Sequence, residues 1–228
     1  MSGPALAEVS IIIPLSADET QHQRLLADLQ SHSSLEAEII QRRGQSRATS
    51  LNCGAIQAHR QWLWFLHADS RVSKDNLCAL QKVLEQHSED QHRNSLYYFS
   101  LCFNLDLDLD ANQSRLSRLL RVNAAGANLR SRLFLCPYGD QGFCISKQLF
   151  MQLGGYPENR PYGEDLLFVW RARQAGISLQ RIPSTLYTSG RKYHQRGWLH
   201  LTLLYQWRWL RLSLPELFTL IVQRWRPL

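Results

Sequence analysis

The fold is decided by residues 62–70, which have the sequence W-L-W-F-L-H-A-D-S. The unbroken apolar run from Trp62 to Leu66 predicts a short strand that is buried on both faces. It stops at His67, and a carboxylate, Asp69, follows at once. Strands of this kind belong to parallel sheets covered by helices, in which ligands bind at the carboxyl ends of the strands. Chemistry is therefore expected first at residues 67–70.

The segments around this strand alternate between predicted strands and predicted helices. Strands are predicted at residues 9–13, 37–40 and 141–145 and an edge or half-exposed strand at 96–109, with helices at 46–58, 74–86, 113–133 and 164–175. This order predicts an α/β fold: a mostly parallel, Rossmann-like central sheet flanked by helices. A C-terminal amphipathic helical tail follows, with a break expected near Pro215.

Length and charge restrict the class of protein. A chain of 228 residues with 44% hydrophobic residues supports one sizeable core. The formal net charge is +7, but residues 191–228 alone contain seven Lys or Arg and one Glu. The basic character therefore belongs to the tail, which does not fit a uniformly basic nucleic-acid-binding protein. We divide the chain into a domain at residues 1–190 and a basic, Trp-rich helical segment at 191–228, packed on the domain or extending from it.

Cysteines and the N-terminus indicate the compartment. The five cysteines are odd in number and far apart, which fits neither a disulfide framework nor a zinc site. A reducing compartment fits best, so a cytoplasmic protein is expected. The first residues lack the pattern of a signal peptide, and no apolar run reaches the ~18 residues of a transmembrane helix.

Tryptophan and arginine alternate in the tail, which favours either peripheral contact with an anionic membrane or packing, on the domain or in a dimer.

Three segments contain candidates for chemistry. A divalent cation, Mg²⁺ or Mn²⁺, could bridge the Asp69 carboxylate to a nucleotide diphosphate, or Asp69 could cap the next helix. The acidic pair Glu164 and Asp165 could supply a general base, or could simply complement a helix dipole. Residues 42–55, R-R-G-Q-S-R-A-T-S-L-N-C-G-A, suit an anion site at a helix start, or a solvated basic face.

The order of these motifs resembles that of the family 2 glycosyltransferases with the GT-A fold. The resemblance extends over residues 9–198 and includes R-G-x-x-R-A-x-x-x-N-x-G-A, W-x-x-F-L-H-A-D, P-Y-G-D-Q-G-F, L-G-G-Y-P, G-E-D and T-S-G-R. A bacterial subgroup with H-A-D in place of the usual D-x-D, associated with arsenosugar biosynthesis, is the most similar. The resemblance implies inverting transfer of a sugar from a nucleotide-sugar donor to a hydroxyl acceptor, either lipid-linked or a small molecule.

The resemblance also implies roles for individual residues. Asp165 corresponds to the general base, with Glu164 supporting it, and Asp69 corresponds to the metal-binding acid. His67 and His194 are further candidate metal ligands. The candidates for donor binding are Arg43, Arg47, Asn52, Asp69 and Arg191. Those near the acceptor or leaving group are Asp140, Gln141 and Arg196.

One departure from the family pattern concerns nucleobase recognition. Family members open with P-x-x-N-E and continue to a strand that ends in an acidic-Gly-Ser turn, which binds the nucleobase. Here Pro14 is followed by L-S-A-D-E, and the segment with that turn is missing. Asp18, Glu19 or residues 31–38 could replace it, or the donor could be unusual. The chain could also be a degenerate, non-catalytic GT-A-like protein that binds a membrane surface or a partner. A nucleotidyltransferase is a further alternative, although the Gly-rich phosphate loop it should need is not found near the N-terminus.

Overall fold

A computed structural model of the chain describes residues 5–16, 21–32, 36–86, 94–104 and 111–225. These residues form a six-stranded sheet with helices on both faces. The strands are β1 (Val9–Leu15), β2 (Glu38–Arg43), β3 (Trp62–Phe65), β4 (Ser95–Asn104), β5 (Cys144–Ser146) and β6 (Ser178–Ser189). The helices are α1 (His22–Gln30), α2 (Arg47–Gln57), α3 (Lys74–Gln86), α4 (Ala111–Leu133), α5 (Lys147–Gln152), α6 (Glu164–Gln174), α7 (Arg191–Arg196) and α8 (Trp198–Trp225), with 3₁₀ turns at Ala5–Glu8 and Gly139–Gln141.

The strand order is β2-β1-β3-β5-β4-β6. β1 pairs in parallel with β2 and β3, and β4 pairs in parallel with β6. β5 is antiparallel to both of its neighbours. The predicted α/β fold with a mostly parallel sheet is confirmed, and the carboxyl ends of five strands meet at one edge.

Side chains of successive residues on the strands point to opposite faces of the sheet, which gives two cores. In β1, Ile11 and Ile13 pack in the core that also contains Leu25 of α1 and Leu80 of α3. Ile12 joins the opposite core, which α2, α5 and α6 cover. A run that is apolar at every position is thereby explained, because both faces of the strand are buried.

The sheet differs from the prediction at one edge. β6 was not expected, since Pro183 and several polar residues interrupt its apolar pattern. Proline is tolerated in edge strands because a missing N–H on the outer side costs no ladder hydrogen bond. β6 pairs with β4, whose residues 95–101 are all buried, so the prediction of an edge or half-exposed strand at residues 96–109 is wrong for this part. Residues 105–109 lie outside the described residues. The strand predicted at residues 141–145 also differs, because β5 is only Cys144–Ser146 and Gln141 belongs to the 3₁₀ turn Gly139–Gln141.

The tail forms α7 and then α8, which runs through Pro215 without interruption. The predicted break is wrong: Pro215 is exposed, so the carbonyl of Arg211 that loses its helical donor can be solvated. α8 packs on the domain through α6, where Trp170 Nε1 donates to Ser213 Oγ at 3.1 Å. Trp209, Leu212 and Leu220 of α8 also pack against the small core cluster that includes Trp170.

Candidate active site

Asp69 lies just beyond the carboxyl end of β3, in the turn closed by the Ser70 N–H, which donates to the His67 carbonyl at 3.0 Å. Thr188, near the end of β6, donates its hydroxyl to Asp69 Oδ1 at 3.4 Å. Asp69 does not cap the following helix. That role belongs to Ser73, whose Oγ accepts from the Asn76 N–H at 3.3 Å. The capping alternative for Asp69 is therefore wrong, and its half-buried carboxylate lies at the ligand-binding edge of the sheet.

The acidic pair begins α6 and points toward the same edge. Gly163 precedes it with a φ of +79°, a conformation that L side chains rarely adopt. Glu164 is buried and forms an ion pair with Arg47 of α2. Asp165 Oδ2 accepts from the Gly139 N–H at 2.7 Å and lies 3.7 Å from Arg47 Nη2. Glu164 therefore holds the Arg47 guanidinium in place. The Asp165 carboxylate is held by the Gly139 N–H and by the positive charge of Arg47.

His67 completes this group. Its Nε2 lies 3.3 Å from Arg47 Nη1, and guanidinium groups only donate, so the ring nitrogen is the acceptor. Burial lowers the pKa of His67 well below its usual value, and the charges of Arg47 and Lys192 act in the same direction. The imidazole is thus neutral at neutral pH, with its Nε2 lone pair directed toward a cation. This arrangement suits a positioning role for His67 better than metal ligation.

Gly139 lets these groups approach one another. A Cβ atom at this position would lie 3.0 Å from Asp165 Oδ2 and 3.2 Å from His67 Nε2. Both distances are tighter than ordinary van der Waals contact. The glycine of the P-Y-G-D-Q motif is therefore required for close packing and for its N–H, which fixes the carboxylate of Asp165.

Asp140 is the most perturbed acid of the group. Its pKa is raised to about 7, mainly by burial and further by the negative charges of Asp165 and Asp69, while Arg130 and Arg47 oppose the rise. Its Oδ1 is buried and has no hydrogen-bond partner within the described parts of the chain. A carboxylate pushed toward neutrality by burial and by two neighbouring acids marks a place where added positive charge would be stabilising.

The carboxylate oxygens of this cluster fit a hard divalent cation. Among the described residues, no three His, Cys, Asp or Glu side chains converge closely enough to hold a metal ion. The structure therefore does not assemble Asp69, His67 and His194 as a three-ligand site, and His194 is exposed on α7. A cation at Asp69 would take its remaining ligands from phosphate and water, as Mg²⁺ commonly does.

Two of the predicted site residues hold turns in place. Gln141 is fully buried. It donates to the Phe99 carbonyl at 2.9 Å and accepts from Ser131 Oγ at 2.8 Å. Asn52 donates to the Tyr156 carbonyl at 2.9 Å and accepts from the Tyr156 N–H at 2.8 Å. These amides fix the Gly139–Gln141 turn and the Gly-Gly-Tyr-Pro turn around the site. Direct contact of either side chain with substrate stays a prediction.

The remaining arginines that were predicted to lie near the donor, acceptor or leaving group are on the surface. Arg43 ends β2 and is exposed, and Arg191 and Arg196 are exposed at the two ends of α7. α7 follows β6 directly, so its basic side chains border the edge where Asp69 lies. The structure does not bring these arginines into the contacts of Arg47, and their roles stay predictions.

Sequence reasoning missed Arg130, which is 7% exposed near the end of α4. Its guanidinium lies 3.7 Å from the centre of the Tyr138 ring, and its Nε donates to the Cys136 carbonyl at 3.2 Å. Of the two arginines that lower the pKa of Asp140, Arg130 has the larger effect. Five arginines occur in α4, and no local pattern distinguishes the buried one.

The segment between β2 and α2 is short, and it stands where family members have the nucleobase-binding turn. Gly44, Gln45 and Ser46 alone connect β2 to α2, and Ser46 Oγ accepts from the Thr49 N–H at 3.1 Å as a helix cap. No acidic-Gly-Ser turn follows β2. The candidates Asp18 and Glu19 and part of residues 31–38 lie outside the described residues.

The family model described as glycosyltransferase-like family 2 matches residues 7–201. The chain belongs to this family. The predicted resemblance is confirmed at family level, and the nucleotidyltransferase alternative loses its support. The H-A-D subgroup stays a prediction.

Comparison with solved structures places this family 2 chain in the GT-A fold. The crystal structure of S. aureus TarS, residues 1–349, superposes with a TM-score of 0.55 at 15% sequence identity. The alignment covers 80% of this chain and 60% of the TarS chain, so the chain spans under two thirds of that structure. At this identity the likeness shows the fold alone. No curated protein matches this glycosyltransferase chain.

Proposed function

We propose that this family 2 protein transfers a sugar from a nucleotide-sugar donor to a hydroxyl acceptor with inversion at the anomeric carbon. The observation that carries the proposal is the convergence of Asp165, Arg47 and Gly139 with the acids at Asp69 and Asp140. Family membership supports the reaction class, and this cluster supports the reaction's two requirements. These are a fixed base and a place for the charge of a departing diphosphate.

In this mechanism Asp165 removes the proton from the acceptor hydroxyl as its oxygen bonds to the anomeric carbon. The bond from that carbon to the diphosphate oxygen breaks on the opposite face, and the electron pair leaves with the diphosphate. Two hydrogen-bonded contacts to Asp165, from the N–H groups of Gly139 and Leu166, hold the carboxylate at a fixed angle. Arg47, engaged with Glu164, keeps positive charge beside the base.

A divalent cation, Mg²⁺ or Mn²⁺, held by Asp69 would offset negative charge on the diphosphate as it leaves. Asp69 keeps an accessible carboxylate for this purpose, with Thr188 orienting it. Asp140 adds a second anionic group to the same neighbourhood. The arginines of α7 would border the phosphates from the other side.

A cytoplasmic location with a lipid-linked or small-molecule acceptor is part of the proposal. The five cysteines are free in the structure, which accords with a reducing compartment. A lipid-linked acceptor would require the protein to reach a membrane surface, and the basic C-terminal helix is the segment suited to that contact.

The proposal is tested by thermal denaturation with nucleoside diphosphates, with and without Mn²⁺, followed by assays of donor hydrolysis and transfer. Binding that depends on Mn²⁺ and on Asp69, together with turnover that depends on Asp165, is the expected result. Failure to bind any nucleoside diphosphate, with or without Mn²⁺, would favour a second candidate, a degenerate, non-catalytic protein that binds a membrane surface or a partner. The missing nucleobase turn is the observation that favours that candidate.

A further inference from the structure

Helix α8 exposes an apolar stripe along the side that faces away from the domain. The spacing alternates between four and three residues over five turns, which keeps the stripe on one side of the helix. Its members are Leu203, Trp207, Leu210, Leu214, Leu217 and Ile221, each at least 40% exposed. The opposite side of α8 is already occupied, since Leu212 and Ser213 pack against α6. The stripe is therefore additional to the contacts that hold α8 in place.

The end of α4 and the residues after it extend this apolar surface. Leu129 and Leu133 are 57% and 66% exposed, and Phe134 is 56% exposed. α4 lies beside α8, because Asn123 Nδ2 donates to Thr202 Oγ1 at 2.9 Å. Farther along, the Phe134 ring lies 6.1 Å from that of Trp209. We call the exposed sides of these two neighbouring helices, together with Phe134, the docking face.

The charges on the two helices have one sign. α4 contains five arginines and no acid, and α8 contains three arginines and one acid, Glu216. Glu216 accepts from Gln174 of α6 at 2.8 Å, so it points toward the domain. Arg118, Arg121 and Arg211 are exposed. A second copy of this chain would bring like charges together, whereas an anionic surface would complement them.

None of the described helices is long and apolar enough to cross a membrane. An apolar stripe bordered by arginines suits a helix that lies in the plane of the lipid headgroups. Tryptophan and arginine are well placed there, because each has an apolar body and a polar or charged end. Trp207 is 53% exposed within the stripe, and the Arg211 guanidinium lies 5.2 Å from the centre of its ring.

We propose that the docking face binds the surface of an anionic lipid bilayer, with α8 lying parallel to it. The inference deepens the proposed function, because the bilayer is the surface at which the protein would meet a lipid-linked acceptor. This link to an acceptor rests on the proposed function. α8 also adjoins the site: a Cβ atom at Gly163 would collide with the side chain of Leu212, and Glu164 and Asp165 follow directly. The general base thus lies about one helix diameter, ~10 Å, behind the lipid-facing side.

The test is co-sedimentation of the full chain with vesicles, without donor or acceptor, so that its result is independent of catalysis. One vesicle contains equal parts of phosphatidylglycerol and phosphatidylcholine, and the other contains phosphatidylcholine alone. We expect binding to the anionic vesicle, weakened by salt, and little binding to the neutral one. Absence of binding to both vesicles, or equal binding to both, would overturn the proposal.

Two variants distinguish the docking face from the rest of the surface. The triple substitution Leu210→Gln, Leu214→Gln and Leu217→Gln should reduce binding by about tenfold or more, since binding scales with buried apolar area. The matched control is Ile56→Gln with Met151→Gln, two apolar residues that are 69% and 40% exposed on other helices. The control should bind like the parent, and both proteins should keep the parent's circular dichroism spectrum.

Light scattering tests the other occupant of the docking face. We expect a monomer at low and high salt. A dimer that the triple Leu→Gln substitution converts to monomer would show that the face is an interface between two copies, and the bilayer proposal would fall. Equal vesicle binding by parent and triple variant would have the same consequence. Vesicle binding with no sugar transfer would instead leave this inference standing and count against the proposed function.

Discussion

Two regions at the same edge of the sheet differ in how many contacts their side chains make. Around α6 and the Gly139–Gln141 turn, Arg47 forms an ion pair with Glu164 and lies 3.3 Å from His67 Nε2. It also lies 3.7 Å from the Asp165 carboxylate, which accepts from the Gly139 N–H. Between β2 and α2, where the family's base-binding turn would lie, three residues make the connection. Under the proposed function, the groups that would act on the sugar and its phosphates are present, while the segment that would contact the nucleobase is short. The proposal therefore separates the chemistry of transfer from the choice of donor.

Removing the proposed general base, Asp165, should have the largest effect. Asp165→Asn keeps the shape and one acceptor oxygen but cannot take up the hydroxyl proton, so transfer should fall by about 10²–10⁴-fold. Donor affinity should change little, because the phosphate-binding groups are untouched. Rates under saturating donor and acceptor check this prediction. An unchanged rate would remove Asp165 from the base role and leave Asp140 as the next candidate.

The second prediction concerns Asp69. Asp69→Asn preserves the contact with Thr188 and removes the charge that would hold a cation. A nucleoside diphosphate at a hundredfold excess over its Kd should stabilise the parent by about 2.7 kcal/mol in Mn²⁺, and the variant much less. Thermal denaturation with and without EDTA measures the difference. Equal Mn²⁺-dependent stabilisation of both proteins would contradict the proposed metal role.

A smaller effect is expected at Gly139. The added methyl of Gly139→Ala would press on Asp165 and His67, which must shift by a few tenths of an ångström. Misplacing a base by this amount should lower the rate by about tenfold, with stability nearly unchanged. The control is Gly126→Ala in α4, where a Cβ would meet nothing within 4 Å. That variant should keep full activity and be slightly stabilised, as expected for alanine in a helix.

The densely bonded region could be predicted well from the sequence, and the reasons are local. The apolar run before His67 and the acidic pair after Gly163 mark the strand end and the helix start where the site forms. Long-range partners are a different matter. Pairing of Glu164 with Arg47 joins residues far apart in the chain, and nothing in the local sequence indicates it.

The misses also have physical causes. β6 was overlooked because Pro183 weakens a strand pattern, yet an edge strand tolerates proline. Gln141 and Asn52 are a different case, because their predicted place near the ligands is untested and rests on the motifs that contain them. In the structure their amides satisfy backbone groups of buried turns, a requirement that polar side chains meet in any fold. Sequence alone cannot distinguish an amide that binds substrate from one that holds the turn beside it.

The raised pKa of Asp140 predicts a pH dependence. Folding shifts the pKa from 3.8 to about 7, so the native state binds the proton more tightly than the unfolded state. The contribution of Asp140 to the free energy of unfolding is therefore largest below about pH 4, falls as pH rises toward 7, and levels off above it. Asp140→Asn should flatten this slope and stabilise the metal-free protein at pH 8 by at most about a few kcal/mol. Urea denaturation in EDTA measures both effects.

The control for this titration is Asp75→Asn, which changes an exposed acid in the first turn of α3. It should leave the dependence of stability on pH as it is in the parent. If Asp140→Asn leaves the slope unchanged, the cluster of acids does not hold a proton on Asp140. The case for a cation-attracting neighbourhood at this edge would then rest on Asp69 alone.

The smallest difference is expected between nucleotides, and it follows directly from the contrast between the two regions. Contacts to phosphate are charge-assisted and do not depend on the base, whereas discrimination requires polar groups that go unpaired when the wrong base binds. In the β2–α2 link, Ser46 is committed to capping α2, and a side chain at Gly44 would collide with Ser50 at 2.9 Å. UDP, GDP and CDP should therefore bind within about tenfold of one another, or about 1.4 kcal/mol. Calorimetric titrations in Mn²⁺ compare the three, and Asp69→Asn should weaken all of them alike. A preference well beyond a hundredfold would show that another segment contacts the base, with Asp18 and Glu19 as the first residues to substitute.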